Sequence, residues 1–149
     1  MDRRMILTGA AVAAGAVLAA GEARAAADWT DAEKANVKVV TDFCAAWTTR
    51  DMGRTLPFLS ADCVYRMTEA TAPVNGHDGV IDRLKATVDR SERVEFKVLD
   101  TFAAGPIVIN HRIDQFVSSR PLTWEGIGVF FVKDGKIKEW SDYTIRVTR

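Results

Sequence analysis

Ile107-Val108-Ile109-Asn110-His111-Arg112-Ile113-Asp114-Gln115-Phe116 is the stretch that decides the fold. It reads as a strand, and side chains alternate faces along a strand. One face therefore carries Val108, Asn110, Arg112, Asp114 and Phe116. An arginine and an aspartate stand side by side there, between a valine and a phenylalanine. Further on, Trp140-Ser141-Asp142-Tyr143-Thr144-Ile145 predicts a second strand with Asp142 on the face of Trp140 and Thr144. If the two faces look into one cavity, two aspartates share one arginine in a partly apolar place. Such surroundings push two carboxylate pKa values apart, so that an acid and a base coexist at neutral pH.

Working outward, Lys133-Asp134-Gly135-Lys136 carries an Asp-Gly pair, a strong short-range hairpin signal. It joins a strand from Leu122 to Val132 to a last strand from about Ile137 to Val147. Val94 to Val98 alternates as a further strand that extends toward Phe102, and Ala103 to Pro106 turns the chain into the Arg112 strand. Upstream, Val37, Val40, Phe43, Cys44 and Trp47 recur at helical spacing between Asp31 and Arg50, with Thr30 or Asp31 as the cap. A second short helix is expected from Arg54 to Leu59, a short strand from Cys63 to Met67, a loop from Glu69 to Gly76 and a third helix from Asp78 to Asp89. Helices followed by an antiparallel meander predict an α+β domain, a curved sheet wrapped around about three N-terminal helices. Gly126 and Gly128 are candidates for bending the Leu122 strand.

The first 27 residues have a different composition. Asp2-Arg3-Arg4 precedes an Ala/Gly/Val/Leu run, and Ala23-Arg24-Ala25-Ala26-Ala27 supplies small residues for cleavage. This is the layout of a bacterial secretory signal, and the paired arginines suggest the twin-arginine route. The apolar core is short for an uncleaved membrane anchor. The expected organisation is a leader over 1–27, a single domain over 28–149, an exported product and no stable membrane association after cleavage. Lys plus Arg and Asp plus Glu balance at 20 each, with no basic stripe, which argues against a nucleic-acid partner. Cys44 and Cys63 lie in apolar stretches and are read as buried thiols, although export would permit a disulfide. No Cys/His spacing resembles a metal site.

Candidate walls of a pocket on the concave side of the sheet are Met67, Val108, Phe116, Trp124, Phe130 and Trp140. An Arg-x-Asp pair on a strand is commonly a surface ion pair. Here the apolar neighbours and the second aspartate favour a buried site, with a purely structural Arg-Asp network as the competing reading. Tyr65 can equally fill the core. His111 falls on the face opposite Asp114, and His77, at a helix start, is expected to be solvated.

Helices first, a short strand ending in Tyr65, Arg112-Ile113-Asp114, then Trp140-Ser141-Asp142-Tyr143 after a hairpin: this pattern resembles the limonene-1,2-epoxide hydrolase family. That family lies within the cone-shaped α+β barrel group related to nuclear transport factor 2 (NTF2) and the SnoaL-like polyketide cyclases. The resemblance covers about Asp31 to Ile145. It implies that Asp114 protonates an epoxide oxygen, that Asp142 activates a water, that Arg112 bridges the two, and that Tyr65 holds the water. It also implies a homodimer, and catalysis without a metal or organic cofactor. The family carries an asparagine two places after the tyrosine, and Met67 stands there in this chain.

The sequence therefore points to hydration of an epoxide in a small apolar compound by one-step acid–base catalysis. Two alternatives stand beside it. One is another enzyme on the same fold (an isomerase, cyclase or dehydratase), which needs no held water. The other is a non-catalytic domain that binds a small molecule in the cell envelope.

Overall fold

The computed structural model describes residues 28–149. The expected leader lies outside the described residues. Helix α1 (Asp31–Ala46) starts on a capping box in which Thr30 and Glu33 satisfy each other's backbone N–H groups. Glu33 is buried and its second oxygen accepts the N–H of Gly105 at 2.8 Å, tying the helix start to the far end of the sheet. A 3-10 turn (Trp47–Thr49) leads to α2 (Met52–Thr55) and a second 3-10 turn (Leu56–Phe58). The expected single helix from Arg54 to Leu59 is thus broken: Pro57 sits in the tighter turn, and Leu59 already belongs to a strand.

That strand, β1 (Leu59–Arg66), is longer than expected. The short β2 (Val74–Asn75) pairs with it inside the segment expected to be a loop, and α3 (Gly76–Asp89) follows. Then come β3 (Arg93–Ala104), β4 (Ile107–Val117), β5 (Leu122–Lys133) and β6 (Lys136–Thr148), an antiparallel meander as the sequence predicts. Asp134 and Gly135 both have positive φ, 52° and 70°, the geometry for which an Asp-Gly hairpin is selected.

The six-stranded sheet has the order β2-β1-β6-β5-β4-β3. It is curved and open, and β1 runs parallel to β6, with Tyr65 opposite Trp140. This non-local pairing brings the first long strand to the last. The core lies between the concave face and the helices. Phe43 of α1 meets Trp140 edge-on at 5.0 Å, and Trp47 stacks on Phe96 at 5.1 Å. Burying aromatic rings of this size supplies much of the drive to fold. Among the described residues no helix is long and apolar enough to cross a membrane.

Candidate active site

The inward face of β4 runs Val108, Asn110, Arg112, Asp114, Phe116, and all five are buried. Across the sheet, Asn110 stands opposite Gly128 of β5, and Gly128 opposite Asp142 of β6. Arg112 reaches over β5 to connect the strands on either side of it, β4 and β6. Its Nε donates to both oxygens of Asp114, at 2.9 and 3.1 Å. Its Nη2 donates to Asp142 Oδ1 at 2.8 Å, and its Nη1 to Asn110 Oδ1 at 3.1 Å. The three residues read from the sequence as one unit therefore meet within hydrogen-bond reach. Their aspartates reach the cavity floor, while the arginine lies fully buried behind them.

The guanidinium passes over β5 because that strand carries no side chain there. A Cβ on Gly128 would fall 2.0 Å from Arg112 Nη1. Gly126 sits at an irregularity in the β5–β6 register, which fits the expected bend, whereas Gly128 makes room. Aromatic rings enclose the charge, with the guanidinium carbon 4.9 Å from the Trp124 ring centroid and 5.3 Å from that of Phe96.

Burial pushes the Asp114 carboxyl up to about 7, against the pull of Arg112, and the charge of Asp142 adds to the rise. Burial also raises Asp142, opposed by Arg112 and by hydrogen bonds from Arg112 and Trp140. Asp142 Oδ1 accepts both Arg112 Nη2 and Trp140 Nε1, each at 2.8 Å. Two donors, one of them cationic, converge on a single oxygen of Asp142. Among the described residues Asp114 is held by the Nε–H alone. The two carboxyls thus differ in how firmly their charged forms are held.

The cavity above them has a volume of about 220 Å3. Of the predicted walls, Met67, Phe116, Trp124 and Trp140 line it, together with Tyr65. Val108 and Phe130 do not. Both are fully buried, and Phe130 stacks on Trp140 and packs near the guanidinium. Alternation assigns a face but not a depth, so it could not separate wall from core. Leu84 and Thr87 of α3, Thr68, Phe96, Leu122, Val147 and Arg149 complete the lining. The third helix showed helical periodicity, and its Leu84 could have been assigned to the cavity had its docking on β1 been known. Asn110 lies on the face that alternation predicts, and its role depends on contacts that alternation does not show.

Tyr65 is buried, stacked on Trp140 with ring centroids 3.9 Å apart. Burial and the charge of Asp142 hold its hydroxyl well above the usual tyrosine range, so it is a hydrogen-bonding group here. Thr68 and Thr87 are the uncharged hydroxyl side chains that join it in the cavity lining. His111 lies on the opposite face, beside Glu125 at 3.2 Å. His77 is half-buried rather than solvated, with Nε2 3.2 Å from the carbonyl of Leu59. Cys44 and Cys63 are free and buried, and burial pushes the Cys44 thiol up to about 12. Among the described residues no three His, Cys, Asp or Glu side chains are grouped to hold a metal ion.

The geometry can be set beside known proteins. The model of the SnoaL-like domain matches residues 40–140. No protein of curated function matches the chain. Among solved structures, an LEH-like epoxide hydrolase of M. tuberculosis is 25% identical, covering 75% of this chain and 84% of that one, with a TM-score of 0.64. A hypothetical protein of ketosteroid isomerase-like fold from Catenulispora acidiphila DSM 44928, in complex with trimethylamine, is 20% identical over 71% of this chain and 84% of its own, with a TM-score of 0.63. Bal32a, from a soil-derived mobile gene cassette, is 12% identical over 77% and 92%, with a TM-score of 0.67. With a matching model over most of its length and the NTF2-like fold of its structural neighbours, this chain belongs to the SnoaL-like domain family.

Proposed function

We propose that the chain is an epoxide hydrolase-like enzyme acting on a small, largely apolar compound. One observation carries this reading: a single arginine bridges two buried, unequally held aspartates at the floor of an apolar cavity. Asp142 is the base. Its Oδ1 is taken by two donors, and Oδ2 carries no hydrogen bond among the described residues, leaving it to accept a proton from water. Asp114, with its pKa near 7, is the acid. The water oxygen forms a bond to one epoxide carbon as the bond from that carbon to the ring oxygen breaks. The water's proton passes to Asp142, and the proton of Asp114 passes to the departing oxygen. The proton then returns from Asp142 to Asp114 before the next turnover, and the pair titrates as a unit. Arg112 keeps the base ionised, and Tyr65 supplies a hydroxyl for the water. The catalytic chemistry proposed for these residues needs no cofactor. The neighbouring M. tuberculosis epoxide hydrolase supports the reading.

Met67 favours a second reading. A buried water wants about three polar partners, and a thioether is a poor one. A reaction without held water avoids this need, such as an isomerisation, cyclisation or dehydration in which one aspartate moves a proton beside a carbonyl.

Incubation with terpene, styrene and alkene epoxides in oxygen-18 water separates the two. Labelled diol is the expected product. Absence of turnover by folded protein on every epoxide, with solvent deuterium entering an enone or β-keto compound, selects the second reading. Export after cleavage of the leader, and pairing of two copies, belong to the same proposal. Exposed Leu99, Phe102, Tyr143 and Ile145 on the sheet offer apolar surface for a second copy. Mass spectrometry of the exported chain and sedimentation of the purified protein test these points.

A further inference from the structure

Asn110 lies outside the cavity lining and hydrogen-bonds to neither carboxylate, yet it is almost wholly buried beside the guanidinium. An amide in such a place must satisfy its polar atoms within the protein. Oδ1 accepts Arg112 Nη1 at 3.1 Å, and Nδ2 donates to Cys44 Sγ of α1 at 3.5 Å. The bare face of Gly128 leaves the room in which the two meet, since a Cβ there would also fall 2.8 Å from Asn110 Oδ1.

The guanidinium has two ends in use. Nε and Nη2 serve Asp114 and Asp142, while among the described residues Nη1 is held by Asn110 alone. A planar fork anchored at its third nitrogen cannot turn to grip either aspartate with two parallel bonds. We infer that Asn110 is a positioning residue: anchored by Cys44, its amide fixes the rotation of Arg112 so that the two carboxylates are held unequally. The arrangement runs from helix α1 through Cys44, Asn110 and Arg112 to both aspartates. The titratable groups facing the guanidinium are Asp114 of β4, Asp142 of β6, Tyr65 of β1 and Cys44 of α1. The catalytic meaning of this role rests on the acid–base reading above, but its test uses no substrate.

The test follows the two aspartate carboxyl carbons by carbon-13 NMR while pH is varied, in the wild type and in Asn110→Leu. The variant keeps the side-chain size and loses the anchor. In folded Asn110→Leu the separation between the two midpoints narrows by about one pH unit, a tenfold change in proton partition. Midpoints identical to wild type in a folded variant overturn the inference. Should Asn110→Leu not fold, Cys44→Ala frees the far end of the amide only. It is expected to narrow the separation by a smaller amount, and unchanged midpoints there overturn the inference equally. Loss of the epoxide reading would leave both outcomes readable.

Discussion

The guanidinium of Arg112 occupies the space that a side chain at Gly128 would fill, with 2.0 Å between Nη1 and the position of a Cβ. Gly128→Ala forces the arginine off its seat, because backbone of a central strand cannot give way at that distance. Two buried carboxyls then lose their common partner. Breaking a buried pair costs about 3–5 kcal/mol. Denaturant unfolding is expected to show a loss of that size, with turnover lost alongside.

Asp114→Asn and Asp142→Asn preserve shape and remove the proton donor and acceptor. Each is expected to cut kcat by roughly 10²-fold or more, with binding of an apolar ligand retained. Steady-state kinetics beside ligand titration measure the split. Full turnover in either variant would leave the pair a structural network.

Turnover is expected to fall as pH rises through about 7, where Asp114 gives up its proton. It is also expected to fall toward acid, where Asp142 gains one, so the profile is bell-shaped. Stability moves in a related way. Both aspartates have folded pKa values raised above the unfolded ones. Between the unfolded value and the folded one the native state holds more protons, so stability decreases as pH rises through that window. For Asp114 the window runs from about 3.8 to about 7, and the loss is on the order of a few kcal/mol. Asp62, Glu69 and Glu125 have lowered values and act oppositely in stronger acid. Urea midpoints across pH should therefore peak in mild acid, and Asp114→Asn should flatten the decline toward neutrality.

Met67→Asn supplies a polar partner beside Tyr65 on the cavity wall. A net hydrogen bond is worth about 1 kcal/mol, so epoxide hydration is expected to rise by up to about fivefold. A fall in labelled diol would show that water is not activated at this end of the cavity.

Much of this site was legible in alternation alone. Grouping Arg112 with Asp114 on one face, and Asp142 with Trp140 on another strand, needs only the period of a strand, and their meeting adds the β4–β5 pairing to the hairpin at Asp134-Gly135. What escaped reading depends on neighbours remote in the chain. The start of β1 at Leu59 is set by parallel pairing with β6, which no local pattern announces. Val108 and Phe130 look like wall residues until depth is known: both are fully buried and neither lines the cavity. The part played by Gly128 is an absence of atoms, visible only once Arg112 lies across it.

In the sheet order, β6 stands between β1 and β5, so the last-made strand is also the one that joins the two halves. Until it is synthesised, the strand bearing Tyr65 has no partner on that side and one acidic group of the trio does not yet exist. Assembly must wait for contacts distant in sequence, which form slowly. A growing chain of this topology cannot bring Asp142 to Arg112 until its closing segment slots into the gap between β1 and β5.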